Sequence, residues 1–271
     1  MESTSLKKVR LTKSEIKYLR SLSQKKFREQ EKKFLLEGWR PLHEALGSDF
    51  SVEMVAVTSS HRNPEENKIL SSARKKSIPV KELLDSELSQ ISSTVHAQSV
   101  VALVRQLEYN IDAVLKQKPP VVVAADAVSD PGNLGSMIRS CDWFGVGAVL
   151  FGQGCVELYN EKVVRSTAGS IFHVPIIENV DLISELRKAK QAGYFVAALS
   201  GDGTELYTNG KLKPPAILVF GSEAHGVTKD VRNVSDAVLG IPRYGSAESL
   251  NVGVACGIVL AHVCDIKTKS S

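Results

Sequence analysis

Four cysteines in 271 residues are too few to staple a chain of this length, and none stands in a CxxC pair. Cys141, Cys155, Cys256 and Cys264 also lack histidines at a spacing that suits zinc, so neither a disulfide scaffold nor a structural metal is expected. Reduced thiols point to a cytosolic compartment. Long apolar runs are missing too. The longest covers residues 252–261, half of the roughly 20 residues that span a bilayer. The opening, MESTSLKKVRLTKSE, has no apolar segment behind its basic residues. The chain therefore reads as soluble and cytoplasmic, with no secretory leader and no membrane contact. GxGxxG, GxxxxGK[ST] and GxSxG occur nowhere, so dinucleotide binding, P-loop nucleotide binding and the nucleophile elbow lack their marks. Ser222 and His225 share the motif GSEAHG, but no third group completes a hydrolytic triad. No internal repeat or low-complexity tract is present.

What is present is an ordinary globular composition, 43% apolar and 24% charged, with a formal net charge of +4. That small sum hides a gradient. Residues 1–40 carry 12 Lys/Arg against 5 Asp/Glu, a net of +7, and the remainder carries 22 against 25, a net of −3. A basic front segment suits a polyanionic partner; it also suits a solvated helix face.

Periodicity divides the chain. Residues 13–30 place Ile16, Leu19 and Leu22 at helical spacing among Lys and Arg, which predicts one basic amphipathic helix. Short strands are predicted over 32–38, 54–58, 78–80 and 100–104, with helices over 39–46 and 68–76. This gives a small α/β domain over residues 1–110. After the breaker KQKPP (116–120) the texture changes. VVVAAD (121–126), AVLFG (148–152), YFVAALSG (194–201), AILVFGSE (216–223) and AVLGIP (237–242) are near-continuous apolar runs. Such runs predict a parallel sheet buried on both faces, with helices over 134–144, 161–168, 182–192 and 250–263. A second α/β domain over 117–271 follows. In open parallel sheets, ligands bind beyond the carboxyl ends of the strands, where this sequence gathers its glycines and polar residues.

Three of these strand ends carry a resemblance. DPGNLGSMIRSCDWFGVGAVLFG (130–152), LVFGSEAHGV (218–227) and LGIPRYGSAESLNVGVACGIVLAHV (239–263) resemble the three ordered motifs of the SpoU/TrmH family. These are S-adenosylmethionine-dependent RNA 2′-O-ribose methyltransferases of the SPOUT superfamily. The stretch YNEKVVRSTAGSIFHVPI (159–176) is similar to the family's segment between the first and second motifs. Residues 16–46 are similar to its N-terminal substrate-binding extension, which folds like certain RNA-binding ribosomal proteins.

The resemblance implies a C-terminal SPOUT parallel-sheet domain with a deep trefoil knot, an exception to the general rarity of knots. It implies S-adenosylmethionine bound in the knot, a homodimer, and RNA as substrate, with rRNA favoured over tRNA by the N-terminal extension. By motif position it implies cofactor contacts at Gly221, Ile241 and Leu250. It also implies functional roles for Asn133, Arg139, Glu223, Ser249 and Asn251. Gly253 departs from it, since the family often has serine there.

The chemistry fits those residue types. Methyl transfer from a sulfonium to a hydroxyl is an in-line displacement that needs alignment, a route for the hydroxyl proton and a grip on the RNA phosphates, but no metal. Arg139 is assigned to the phosphate beside the target ribose, assisting deprotonation, because a free guanidinium is too basic to serve as a base unaided. Asn133 fixes either the Arg139 side chain or a loop, or caps a helix. Glu223 orients the third motif or Asn251, with Arg139 as another partner. Ser249 and Asn251 open the last helix, with Ser249 a good N-cap. Arg165 and Arg243 suit phosphate contacts or plain solvation. His173, His225 and His262 have no assigned role. The last helix is apolar on more than one side, which independently asks for a second covering surface. Two other functions stay open at this level: a non-catalytic RNA-binding protein of the same fold, and a nucleotide-dependent α/β enzyme.

Overall fold

The computed structural model describes residues 9–59, 62–92, 94, 98–205 and 212–269. The chain forms two compact units: residues 1–107 with 159–172, and residues 108–158 with 173–271.

The first unit opens with α1 (Lys13–Ser21), α2 (Lys25–Glu31), β1 (Lys33–Glu37), α3 (Trp39–Gly47), β2 (Val52–Thr58), α4 (Pro64–Lys75), β3 (Val80–Leu83), α5 (Asp85–Ile91) and β4 (Val100–Arg105). Its sheet runs β1-β4-β2-β3, with β4 antiparallel to both neighbours and β2 parallel to β3. The single helix predicted over 13–30 is two helices. α1 begins at a capping box, Thr12 with Glu15, and ends at Leu22, which is 1% exposed. Arg28 supplies the break with its hydrogen bonds: its Nη1 donates to the carbonyls of Leu22 at 2.8 Å and Ser23 at 2.7 Å. Those are orphan acceptors at a helix end, and Arg28 is buried to satisfy them. One of the predicted solvated cations is therefore an internal cap. Leu11, Ile16, Leu19 and Leu22 pack into the same core as Met54, Leu83 and Leu103, so the basic front segment is structural as well as charged.

The boundary expected between residues 110 and 117 is followed by a return of the chain to the first unit. Residues 159–172 include α8 (Glu161–Ser166) and a short 3-10 turn, Ser170–Phe172. Aromatic contacts anchor them: Tyr159 lies against Phe34 with ring centres 4.7 Å apart, and Phe172 meets Phe50 edge-on at 4.9 Å. The Tyr159 hydroxyl also donates to the Leu107 carbonyl at 3.0 Å.

The second unit contains α6 (Ile111–Lys116), β5 (Val121–Asp126), α7 (Pro131–Trp143), β6 (Ala148–Gly152), β7 (Ile176–Val180), α9 (Leu182–Gln191), β8 (Phe195–Glu205), β9 (Ala216–Gly221), α10 (Lys229–Val234), β10 (Ala237–Gly240) and α11 (Val252–Lys269). Its six strands run β10-β8-β9-β5-β6-β7, every pair parallel. All residues of β5, β6 and β9 are buried, as their unbroken apolar runs required.

Helices α7 and α11 lie side by side. A Cβ added at Gly253 would stand 2.9 Å from the Ser136 Cβ, and one at Gly257 would stand 3.6 Å from the Ser140 Oγ. Glycine at 253 is therefore what lets the two helices approach. The thiols of Cys141 and Cys256 are buried in this unit, and burial holds the Cys141 thiol well above its ordinary pKa. Burial likewise pushes Cys155 up to about 11. Neither has the ready thiolate of a reactive cysteine.

Candidate active site

The first polar group at the strand ends belongs to β5. Asp126 closes an otherwise apolar strand and is buried. Its Oδ2 accepts from the Thr228 backbone N–H at 2.7 Å, tying the loop after β9 to the end of β5. Ala127 then turns the chain with φ of 56°, a left-handed conformation that costs a non-glycine residue on the order of 1 kcal/mol. Asp130 caps α7 by accepting from the Asn133 N–H at 2.8 Å, with Pro131 at the first helical position. The cap is thus Asp130, and Asn133 sits in the first turn with its amide free for other work.

The loop after β9 is a tight turn. Gly226 N donates to the Ser222 carbonyl at 2.7 Å, and His225 N donates to the Ser222 Oγ at 3.2 Å. The serine hydroxyl thus caps its own turn. Gly221 must be glycine, because a Cβ there would fall 2.0 to 2.1 Å from the Gly226 and Val227 backbone. This turn presents Glu223 at the surface.

The third strand end supplies the junction. Asn251 Nδ2 donates to the Asn133 Oδ1 at 2.7 Å and to the Glu223 Oε1 at 2.9 Å. Its own Oδ1 accepts from the backbone N–H groups of Gly253 at 3.0 Å and Val254 at 3.2 Å. The N-cap of α11 is therefore Asn251 rather than the predicted Ser249. Both amide hydrogens and the oxygen of Asn251 are engaged. One residue fixes the start of α11, the orientation of the Asn133 amide and the placement of the Glu223 carboxylate, joining residues 118 positions apart in sequence. Among the described residues, the Asn133 Nδ2 and the Glu223 Oε2 remain without a partner at this cluster.

Arg139 stands two turns along α7 from Asn133 and is exposed. Among the described residues it makes no hydrogen bond or ion pair, so the expected contacts to Asn133 or Glu223 are not made. Ser249 is also exposed and makes no side-chain hydrogen bond among the described residues. Gly221 lies in register with Asp126 at the sheet edge. Ile241 follows Gly240, which is pressed against the Ser200 and Gly203 carbonyls so closely that a Cβ would lie 2.9 and 3.0 Å from them. Leu250 is 47% exposed. Arg243 donates to the Ala247 carbonyl at 3.4 Å, and Arg165 belongs to the first unit. His173 pairs with Asp142 at 3.0 Å.

Two features had no place in the sequence reading. Asp126 was legible as an acid ending an apolar strand. Asp202 was not: it lies in β8 and pairs with Arg232 of α10 at 2.9 Å, and that guanidinium, with Ser200, lowers its carboxyl to about 2. Among the described residues no group of His, Cys, Asp and Glu could hold a metal ion, and no helix is long and apolar enough to cross a membrane.

The connection from β10 to Asn251 offers backbone atoms to a ligand. Among the described residues, no backbone–backbone hydrogen bond outside the helices and strands involves residues 241–250. A parallel α/β unit with three loops meeting at its carboxyl edge, joined to a small basic α/β unit, defines a two-unit protein whose ligand chemistry lies in the second unit. Residues 120–261 match the SpoU rRNA Methylase family, and residues 13–102 match an MRM3-like substrate binding domain. The chain belongs to the SpoU rRNA methylase family. It is 32% identical over 248 residues to the 23S rRNA (guanosine(2553)-2′-O)-methyltransferase RlmP of Bacillus subtilis, covering 92% of this chain and 95% of that one. Among solved structures it is similar to an AdoMet-bound rRNA methyltransferase from Sinorhizobium meliloti, with a TM-score of 0.83, 26% identity and coverage of 95% and 97%. A structure described as an RNA 2′-O ribose methyltransferase matches with a TM-score of 0.83, 26% identity and coverage of 96% and 99%.

Proposed function

We propose that this protein transfers a methyl group from S-adenosylmethionine to a ribose 2′-hydroxyl of structured RNA, with rRNA favoured over tRNA. The observation that carries the reading is the Asn133–Asn251–Glu223 junction, which draws all three family motifs to one point at the carboxyl edge of the sheet.

The residues present fit the cofactor. Outside the helices and strands the connection 241–250 makes no backbone–backbone hydrogen bond among the described residues, which leaves backbone groups other than the Ala247 carbonyl for an adenine, and the glycines at 221 and 240 admit only backbone at their positions. Gly221, Ile241 and Leu250 are its proposed contacts. The cofactor supplies an electrophilic methyl on a sulfonium, and the leaving group is a neutral thioether. Arg139 holds the phosphate beside the target ribose; an exposed guanidinium with no partner among the described residues is available for that bidentate grip. With that phosphate neutralised, the hydroxyl loses its proton more readily. The Asn133 Nδ2 and the Ser249 hydroxyl orient the ribose, while Asn251 positions both Asn133 and Glu223. The first unit docks the RNA through Lys13, Lys17, Arg20, Lys25 and Lys26, all exposed.

The reading extends to a trefoil knot, supported by the path of the chain. β10 lies at one sheet edge, yet Asn251 returns to the ends of β5 and β9 in its middle. It also extends to a homodimer. Val254 is 52% exposed on an apolar α11, and Trp143 is 85% exposed on α7. The place of action is the cytoplasm, where rRNA and tRNA are found as substrates.

The test is labelled methyl transfer onto unmodified 23S rRNA and unmodified tRNA transcripts, followed by mapping of alkali-resistant riboses. Methylation of a single rRNA position is expected. Transfer to tRNA alone would overturn the rRNA preference, and no transfer to either would overturn the function.

A further inference from the structure

Among the described residues the tyrosines divide into two kinds. Tyr159 and Tyr194 are buried, and each hydroxyl donates to a carbonyl, of Leu107 and Leu115 respectively. Tyr18 donates to Glu31. Tyr244 is 97% exposed, and its hydroxyl has no partner among the described residues. It stands in the connection from β10 to α11, five residues before Ser249 and seven before Asn251. A bare aromatic ring in the connection that carries the third motif makes no side-chain contact among the described residues that would explain it.

Its surroundings select the kind of surface that would cover it. Residues 243–249 read RYGSAES, with no apolar side chain larger than alanine. A protein interface core would need apolar continuity around the ring, whereas the other large exposed apolar side chain of this connection, Leu250, stands six residues on, beyond Glu248. An adjacent cation is present instead: Arg243 spends one nitrogen on the Ala247 carbonyl and keeps its other donors. An aromatic face beside an arginine, on a loop of small polar residues, is the pairing that takes up an unstacked base and its phosphate. Structured RNA supplies such bases in its loops and bulges, where sequence-specific recognition finds them unstacked.

We propose that Tyr244 is a positioning residue for the RNA, stacking on a nucleobase next to the methylated ribose while Arg243 meets the neighbouring phosphate. The inference rests on the methyltransferase reading above and names a determinant of which nucleotide is held.

The test compares wild type with Tyr244→Phe, Tyr244→Leu and Tyr244→Ala, using unmodified 23S rRNA. Five quantities are measured: KM for RNA, kcat, RNA affinity in the presence of S-adenosylhomocysteine, S-adenosylmethionine affinity, and solution mass. Stacking predicts that Tyr244→Phe stays within about twofold of wild type. Leu and Ala should raise KM and the RNA Kd together by roughly 5- to 100-fold, with S-adenosylmethionine affinity and mass unchanged. A wild-type KM and Kd in Tyr244→Ala would overturn the inference and leave the methyltransferase reading intact. So would a Leu variant that performs as well as Phe, or a change of mass, which would assign the ring to a second copy of this chain. RNA binding by the wild type without methyl transfer would overturn the activity instead, and the Kd series would still decide the role of Tyr244. A wild type that neither binds nor methylates this RNA overturns both.

Discussion

Replacing Asn251 by aspartate separates the two jobs its amide performs. The new carboxylate still accepts from the Gly253 and Val254 N–H groups, and a negative charge at a helix N-terminus makes that cap somewhat better. Both donated bonds, to Asn133 Oδ1 at 2.7 Å and Glu223 Oε1 at 2.9 Å, are lost. Each is worth about 0.5–1.5 kcal/mol net, and a carboxylate facing a carboxylate adds repulsion. Against the improved cap, the net loss of stability should be about 1–2 kcal/mol, a few degrees in Tm. The kinetic effect should be larger. An unpinned Asn133 and a displaced Glu223 misplace the site, and misplacement on the ångström scale costs on the order of 100-fold in rate. Acid should partly reverse the loss. Two carboxylates a hydrogen bond apart resist double ionisation, and a shared proton restores one O–H donor between positions 251 and 223. The assay is kcat for methyl transfer from pH 5 to 8, beside thermal melting. In Asn251→Asp, kcat relative to wild type should rise as pH falls. Wild-type kcat in the variant at pH 7.5 would refute the positioning role. A deficit that does not shrink toward pH 5 would refute the shared-proton account.

Four further outcomes follow from the geometry. Arg139→Ala should lower kcat by at least 100-fold with an unchanged Tm, since the side chain has no partner among the described residues; retained methylation would remove it from the machinery. Gly221→Ala should cost about 3 kcal/mol or more by urea unfolding, because the added carbon falls 2.0 Å from the Gly226 backbone and that turn cannot widen without losing its 2.7 Å bond. Arg232→Ala should return the Asp202 carboxyl from about 2 toward its ordinary value, read by NMR titration. A depressed carboxyl stabilises the fold above its unfolded pKa and loses that contribution as pH falls through the folded value, so any pH-dependent gain lies between about 4 and 2; Asp202 is exposed, so the Tm at neutral pH should barely move. Changing Lys13, Lys17, Arg20, Lys25 and Lys26 to glutamine should flatten the dependence of RNA affinity on salt while leaving the unit folded, whereas deleting residues 1–40 would remove Leu19, Leu22 and Phe34 from its core.

The parallel sheet was legible wherever a strand is buried on both faces. β5, β6 and β9 match their predicted runs because continuous apolar sequence has few other homes. β7 escaped notice for the complementary reason. It is an edge strand reading IIENV, with Glu178 and Asn179 in its middle, and no period marks it. The break between α1 and α2 escaped because the apolar spacing of Ile16, Leu19 and Leu22 continues up to it. What stops the helix is a side chain six residues further on, Arg28 bonding back to Leu22. A local pattern cannot announce a cap delivered from the next helix.

The candidate site divides along the same line. Its residues were visible through the resemblance to three ordered family motifs, which implied roles for Asn133, Arg139, Glu223, Ser249 and Asn251. Their division of labour was not, because it depends on which side chain reaches which across 118 positions. Sequence pattern placed both Ser249 and Asn251 at the start of the last helix and offered Ser249 as a good cap, and propensity does not separate the two. The fold gives the cap to Asn251, whose amide can accept from the helix with its oxygen while donating with its nitrogen, a combination no hydroxyl or carboxylate can match in this geometry. Serine 249 is thereby released from a structural duty and left exposed with an unengaged hydroxyl. A serine that caps nothing, two residues from an asparagine that caps and braces, is free for the substrate role proposed above. Ser249→Ala should accordingly leave Tm unchanged and raise KM for RNA or lower kcat, whereas a drop in Tm of several degrees would return it to the role of a cap.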